Sequence, residues 1–359
     1  MRKFGKIYAA LLMLLVIAVE ILFVVIFFDN VNAIFGCMLG LLVSCFLAPV
    51  FHELGHYAFA AANKLKVVYI KCAIFRFERR NKKLRFSFAN PFYADETQVM
   101  PASSGNMQKR ARAYAIGGLV FGGFYLFILV AATVLTFALG VGSYLLLGSI
   151  PYAAYLFFLN VAPVEYALGK TDALVARGIR KGEPSEQTML VAMEIQGCLS
   201  EGKRFAEIDE SVYFNLPQLP EDDPMYAMIL FLRYRFYLDK NDLAKAGDCL
   251  NRLAASAEYL NAIESIELSS ELTYMHSLNG NKAAADDCAK NCEEYFASED
   301  PSALRVLTAY SLAFGEKEKT EILLKKAYEA LETEPVEGVK RFERALLDSM
   351  REKLSANQE

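Results

Sequence analysis

Four apolar runs, at residues 7–28, 31–62, 113–139 and 144–164, constrain this chain more than any other feature, because each is long enough to cross a bilayer. Hydrocarbon offers a backbone no water to bond, so such runs fold as helices or close into barrels, and runs of this length and composition read as helices. The first follows Arg2, Lys3 and Lys6, is too long for a signal-peptide core and lacks a small-residue cleavage site, which predicts a retained span. Hydrophobic residues make up 54% of the 359 and crowd before residue 165, while the charges crowd after it. The expected architecture is mainly α: a polytopic bundle of about four membrane helices with a small β-hairpin or sheet, then a soluble α-helical domain. The boundary is drawn between a membrane domain, 1–182, and a tail, 183–359. A net charge of −4 leaves no nucleic-acid footprint.

Charge sets the expected orientation. The segment after the second run carries Lys64, Lys66, Lys71, Arg76, Arg79, Arg80, Lys82, Lys83, Arg85, Lys109 and Arg110, and the fourth run is followed by Lys170, Arg177, Arg180 and Lys181. Positive charge near spans marks the cytoplasmic side, so four spans put both termini there, in a multi-pass protein of the cell membrane.

Inside the second run, near its cytoplasmic end, stands His52-Glu53-Leu54-Gly55-His56. Positions i and i+4 share one helix face, so both imidazoles can reach one ion, and Glu53 lies beside the first as a base for an attacking water. Zn2+ suits such a set, with imidazole donors at about 2.0–2.1 Å and one position left open. Ionisable groups at membrane depth are costly, and two of the chain's three histidines are spent here. A third protein ligand is needed, most simply a carboxylate; Asp172 and Glu165 are the candidates after the fourth run, where Pro163 should break the helix and let the chain bend back. Glu20, within the first run, suits a polar partner or packing alone.

Residues 67–77 and 84–88 read as two strands joined by a turn at residues 79–82: either an amphipathic hairpin on the membrane surface or a sheet edge that holds an extended substrate. In the third run Gly118 and Gly122 have the small-xxx-small spacing of close helix packing, with no chemistry assigned. The seven cysteines form no framework; Cys288 and Cys292 have half-site spacing but no neighbouring ligands, and the set reads as reduced thiols.

With the His-Glu-Leu-Gly-His stretch in one span and Asn160-x-x-Pro163 followed by Asp172 at the end of another, residues 30–180 resemble the site-2 protease family of intramembrane zinc metalloproteases. The resemblance implies His52, His56 and Asp172 as zinc ligands, Glu53 as catalytic base, Asn160 as a residue that positions the substrate backbone, and the hairpin as a substrate-presenting element. It implies a transmembrane protein as substrate and a bacterial cell membrane as the setting. Ala173 stands where the family usually has glycine, the spacer from Pro163 to Asp172 is long, and no PDZ domain is evident.

The tail reads as helix pairs: 225–238 with 243–257, 265–278 with 282–297, and 302–314 with 317–331. Their turns, at residues 241, 280 and 315, recur every 35–40 residues, close to the tetratricopeptide period of about 34, so the tail resembles such an array at the level of period. Arrays of this kind bind proteins, which makes a cytosolic partner the expectation, and His276 is read as structural. The alternative to a protease is a catalytically inert membrane scaffold that works through this tail.

Overall fold

A computed structural model describes residues 2–80, 83–90, 95–167, 169–298 and 300–356. It is mainly helical and divides into two compact units, residues 1–101 with 106–186, and residues 102–105 with 187–359.

The first unit holds α1 (Arg2–Ile26), α2 (Val31–Ala62), α3 (Met107–Ala138) and α4 (Tyr144–Val161), four helices long and apolar enough to span a membrane. Their outward residues, such as Leu11, Leu14, Phe35, Phe124 and Val134, are exposed and apolar. α2 is the centre. On one side Gly40 meets the backbone of Leu145 and Ser149 in α4, Gly148 meets that of Cys37, and Ser44 Oγ donates to the Ser149 carbonyl at 2.7 Å. On the other side Gly55 and Gly117 abut, and a Cβ on Gly55 would lie 2.2 Å from the Gly117 carbonyl oxygen. Small residues that admit a neighbouring backbone, with a few polar links, join these helices, as suits a bundle in lipid, where apolar side chains would gain nothing by leaving lipid for one another. Glu20 Oε1, on α1, is buried with no hydrogen-bond partner among the described residues.

α3 begins six residues before its apolar run. Arg110, in its polar first turns, is buried, and its guanidinium donates to the carbonyls of Asn63 and Lys64 at 2.8 and 2.7 Å, closing the C-terminal end of α2. Between the two helices lies a four-stranded antiparallel sheet of β1 (Leu65–Cys72), β2 (Phe75–Arg80), β3 (Lys83–Phe88) and β4 (Glu96–Pro101), in the order β3-β2-β1-β4. The single strand expected over 67–77 is two. Ala73 takes a left-handed φ of +50°, and Cys72 pairs with Phe75 across a two-residue turn. A non-glycine residue there costs about 1–2 kcal/mol, and no local signal announces it. The bond that holds it runs from the Ala73 N–H to Asp95 Oδ1 at 2.6 Å, 22 residues away in sequence. The other expected turn falls partly on Asn81 and Lys82, which lie outside the described residues.

α4 stops at Val161, three residues short of the expected end. A two-stranded ladder follows, β5 (Glu165–Tyr166) with β6 (Gly169–Lys170), and then α5 (Asp172–Lys181). Thr171 closes this excursion: its hydroxyl lies 2.6 Å from the Ala162 carbonyl and its N–H donates to the Val164 carbonyl at 3.1 Å. The long spacer is thereby folded into a hairpin whose ends meet.

The second unit comprises α6 (Pro184–Ser200), whose first residues belong to the first unit, and α7 (Glu210–Phe214), α8 (Pro224–Asp239), α9 (Leu243–Ala255), α10 (Ala262–Leu278), α11 (Lys282–Lys290), α12 (Glu293–Phe296), α13 (Pro301–Ala313), α14 (Lys317–Leu331) and α15 (Glu337–Ala356). Three antiparallel pairs stand where the turn residues placed them. Asn241, Gly280 and Gly315 are all left-handed, at φ +59°, +68° and +82°. In each turn the next N–H closes on a carbonyl five residues back, Asp242 to Tyr237, Asn281 to His276 and Glu316 to Ser311. The helix expected over 282–297 is broken at Asn291–Cys292, where the buried Cys292 thiol reaches the Ile266 carbonyl of α10 at 3.4 Å. All seven cysteines are free.

Candidate metal centre

α2 presents His52 and His56 one turn apart on its buried face, and α5 begins with Asp172 beside them. His52 Nε2 and His56 Nε2 stand 3.3 Å apart, and Asp172 Oδ2 is 3.1 Å from the first and 3.3 Å from the second. A tetrahedral ion with donors at about 2.0–2.1 Å has donor–donor edges of about 3.3 Å, so the three atoms already form one face of such a tetrahedron. Asp172 Oδ2 is buried and accepts no hydrogen bond. Two neutral imidazoles and a carboxylate aim their electron pairs at one point, which a bound cation satisfies directly. This is the one cluster of metal-binding side chains among the described residues, and it can hold a metal ion.

Long-range contacts orient the set. His56 Nδ1 lies 2.9 Å from the Tyr114 carbonyl of α3; a carbonyl only accepts, so the proton sits on Nδ1 and Nε2 is left with its lone pair. The Tyr114 hydroxyl donates to the Thr97 carbonyl, tying α3 to β4. Thr97 in turn donates its hydroxyl to Glu53 Oε2 at 2.7 Å. Glu53 is only 3% exposed, and this bond fixes one carboxylate oxygen and leaves the other free to receive a proton.

Gly118 is part of the site. A Cβ there would stand 2.5 Å from His56 Nε2 and 2.7 Å from His52 Nε2, so α3 lays bare backbone against both rings. Gly118 thus admits α2 closely, as its spacing predicts, and does so against the two ligand rings, while its neighbour Gly117 meets the Gly55 backbone. A Cβ at Gly122 would lie 3.7 Å from His52 Nδ1, an ordinary contact.

Of the two carboxylates considered, Asp172 reaches the histidines. Glu165 sits in β5, where its carbonyl crowds Gly5 of α1. Asn160 donates its amide to the Leu156 carbonyl at 3.1 Å, one turn back in α4, and does not join the cluster among the described residues. Cys288 and Cys292 gather no further ligand among the described residues. Nothing in the sequence marks Thr97 or Tyr114, and it marks Gly118 for packing alone. A threonine in a β-rich stretch and a glycine in an apolar helix carry no local mark of what they touch across the fold.

Comparison with protein-family models, with curated proteins and with solved structures returns no match.

Proposed function

We propose that the chain is an intramembrane zinc metalloprotease that hydrolyses peptide bonds in or near transmembrane segments of other proteins. The observation that carries this reading is the triangle of His52, His56 and Asp172 with edges of 3.1–3.3 Å, next to a buried Glu53 in a helix of membrane-spanning length. Histidine and carboxylate donors in tetrahedral array suit zinc above harder cations. A zinc ion held there supplies Lewis acidity to the attacking water and to the scissile carbonyl. Glu53 takes the water's proton on its free oxygen and delivers it to the departing amine, while Thr97 keeps the carboxylate in place.

A helical substrate hides its carbonyls in its own hydrogen bonds, so it must be drawn out before it is cut. β4, which carries Thr97, is an outer strand of the sheet beside Glu53, and strand addition there would hold a substrate extended. The likeness to the site-2 protease motifs supports the same reading, as do membrane-length helices around the site.

The test is zinc content together with cleavage of a model transmembrane substrate in detergent, wild type against Glu53→Gln. Zinc in both, with cleavage only by wild type, is the expected result. Absence of zinc from both overturns the reading, and cleavage by the variant removes Glu53 from its role.

A further inference from the structure

We infer that the first unit carries a binding site for the headgroup of an anionic phospholipid, between the start of α3 and the end of α5. This inference does not depend on the protease reading. A recess of about 460 Å³ opens there, lined by Gln108, Lys109, Arg112, Ala113, Ile116 and Arg180. Lys109, Arg112 and Arg180 are exposed, and none of the three pairs with a carboxylate among the described residues. Three unpaired cations converging from two helices on one recess attract an anion. Gln108 Nε2 donates to the Ile179 carbonyl at 3.3 Å and holds the two helices together at its edge.

What favours a lipid over a free anion lies directly below. Lys109, Ala113, Ile116, Val120, Phe124 and Phe127 follow one another at three- and four-residue steps, one stripe along α3. The stripe changes from cationic to apolar after Arg112, and Val120, Phe124 and Phe127 are 47%, 58% and 69% exposed. A headgroup in the recess would therefore lead its acyl chains down an apolar track already turned to the hydrocarbon. Asp172 opens the helix that Arg180 nearly closes, eight residues or about 12 Å along the axis. A lipid that bridges α3 and α5 would hold the helix that bears Asp172 against the helix that bears Gly118.

The experiment uses the full chain in phosphatidylcholine nanodiscs with a titrated fraction of phosphatidylglycerol, and counts retained lipids by native mass spectrometry. Wild type should retain phosphatidylglycerol selectively. The variant K109Q/R112Q/R180Q should bind it about 100-fold more weakly, about 3 kcal/mol at 1.4 kcal/mol per decade. The variant K6Q/K66Q/R85Q removes as much charge from exposed positions elsewhere in the unit and should bind as wild type does. K109R/R112K/R180K should also retain the lipid, which shows that local structure survives exchange at these positions. Equal weakening in the two glutamine variants would overturn the site in favour of general charge attraction. No selectivity in wild type would overturn it outright, and displacement of the lipid by millimolar inorganic phosphate would make it a small-anion site and overturn the lipid assignment.

Discussion

Replacing Arg305 with methionine should unsettle the helical unit out of proportion to one side chain. Arg305, on α13, is 1% exposed, and its guanidinium contacts Glu271 of α10 at 2.6 Å and Glu343 of α15 at 2.8 Å. Glu271 also accepts from the Tyr234 hydroxyl at 2.7 Å, Glu343 accepts from Ser302 at 2.9 Å, and the guanidinium lies 4.3 Å from the centre of the Tyr274 ring. One cation thus joins carboxylates from two other helices, away from water. Its removal leaves both buried carboxylates without the cation that touches them and with only the weaker pull of Arg235, which is itself paired with Glu267, and breaking a buried pair this way costs about 3–5 kcal/mol. Set against a total stability of about 5–15 kcal/mol, that is a large fraction.

The assay is native-state hydrogen exchange on the full chain in detergent, read at peptides of α10, α13 and α15. Slow amides there should lose about 100- to 1,000-fold in protection or more. The triple variant Arg305→Met, Glu271→Gln, Glu343→Gln removes every charge of the cluster and should recover most of the loss, since well-packed neutral groups replace such clusters at little cost. The sign with pH follows from the carboxylates. Burial already pushes the Glu343 pKa up in the intact protein, with Arg305 pulling it down. Without Arg305 the folded-state pKa rises further above the unfolded value, so the folded state binds more protons, and its stability is fullest at low pH and lost as pH rises. The deficit should therefore be larger at pH 8 than at pH 5. A loss below about 1 kcal/mol, or a triple variant as damaged as the single one, would refute this account of the cluster.

Further predictions concern the metal centre. Gly118→Ala should abolish metal binding without unfolding the bundle, because its Cβ would press on both Nε2 atoms, whereas Gly122→Ala should keep the metal; elemental analysis of the purified variants decides. Asp172→Ala should lose the metal while Glu165→Ala retains it, and the reverse would reassign the third ligand. Thr97→Val should leave metal content unchanged and slow cleavage about 10- to 100-fold, the worth of a hydrogen bond to a charged group at about 1.5–3 kcal/mol; unchanged turnover would mean that Glu53 needs no such hold.

Much of this protein is written locally. Apolar runs of this length and composition favour the helix, so four helices long and apolar enough to span a membrane are legible before any contact is known. Left-handed turn residues, followed in the first two turns by the capping side chains of Asp242 and Asn281, end one tail helix and start the next within a few positions, which is why the paired helices appear close to where their turn signals stand. The two histidines share a face because four residues make about one turn. Beyond that, tertiary structure decides. Asp172 and Glu165 both follow Pro163, and only the closed excursion stapled by Thr171 carries the first to the imidazoles and leaves the second against α1. Thr97 reaches Glu53 across 44 positions and Tyr114 reaches His56 across 58, and β1 parts from β2 through a bond from the Ala73 N–H to Asp95. Periodicity and capping report what a residue does to its own helix or turn. A hydroxyl, a carbonyl or a bare glycine acquires its role here from what the fold sets against it.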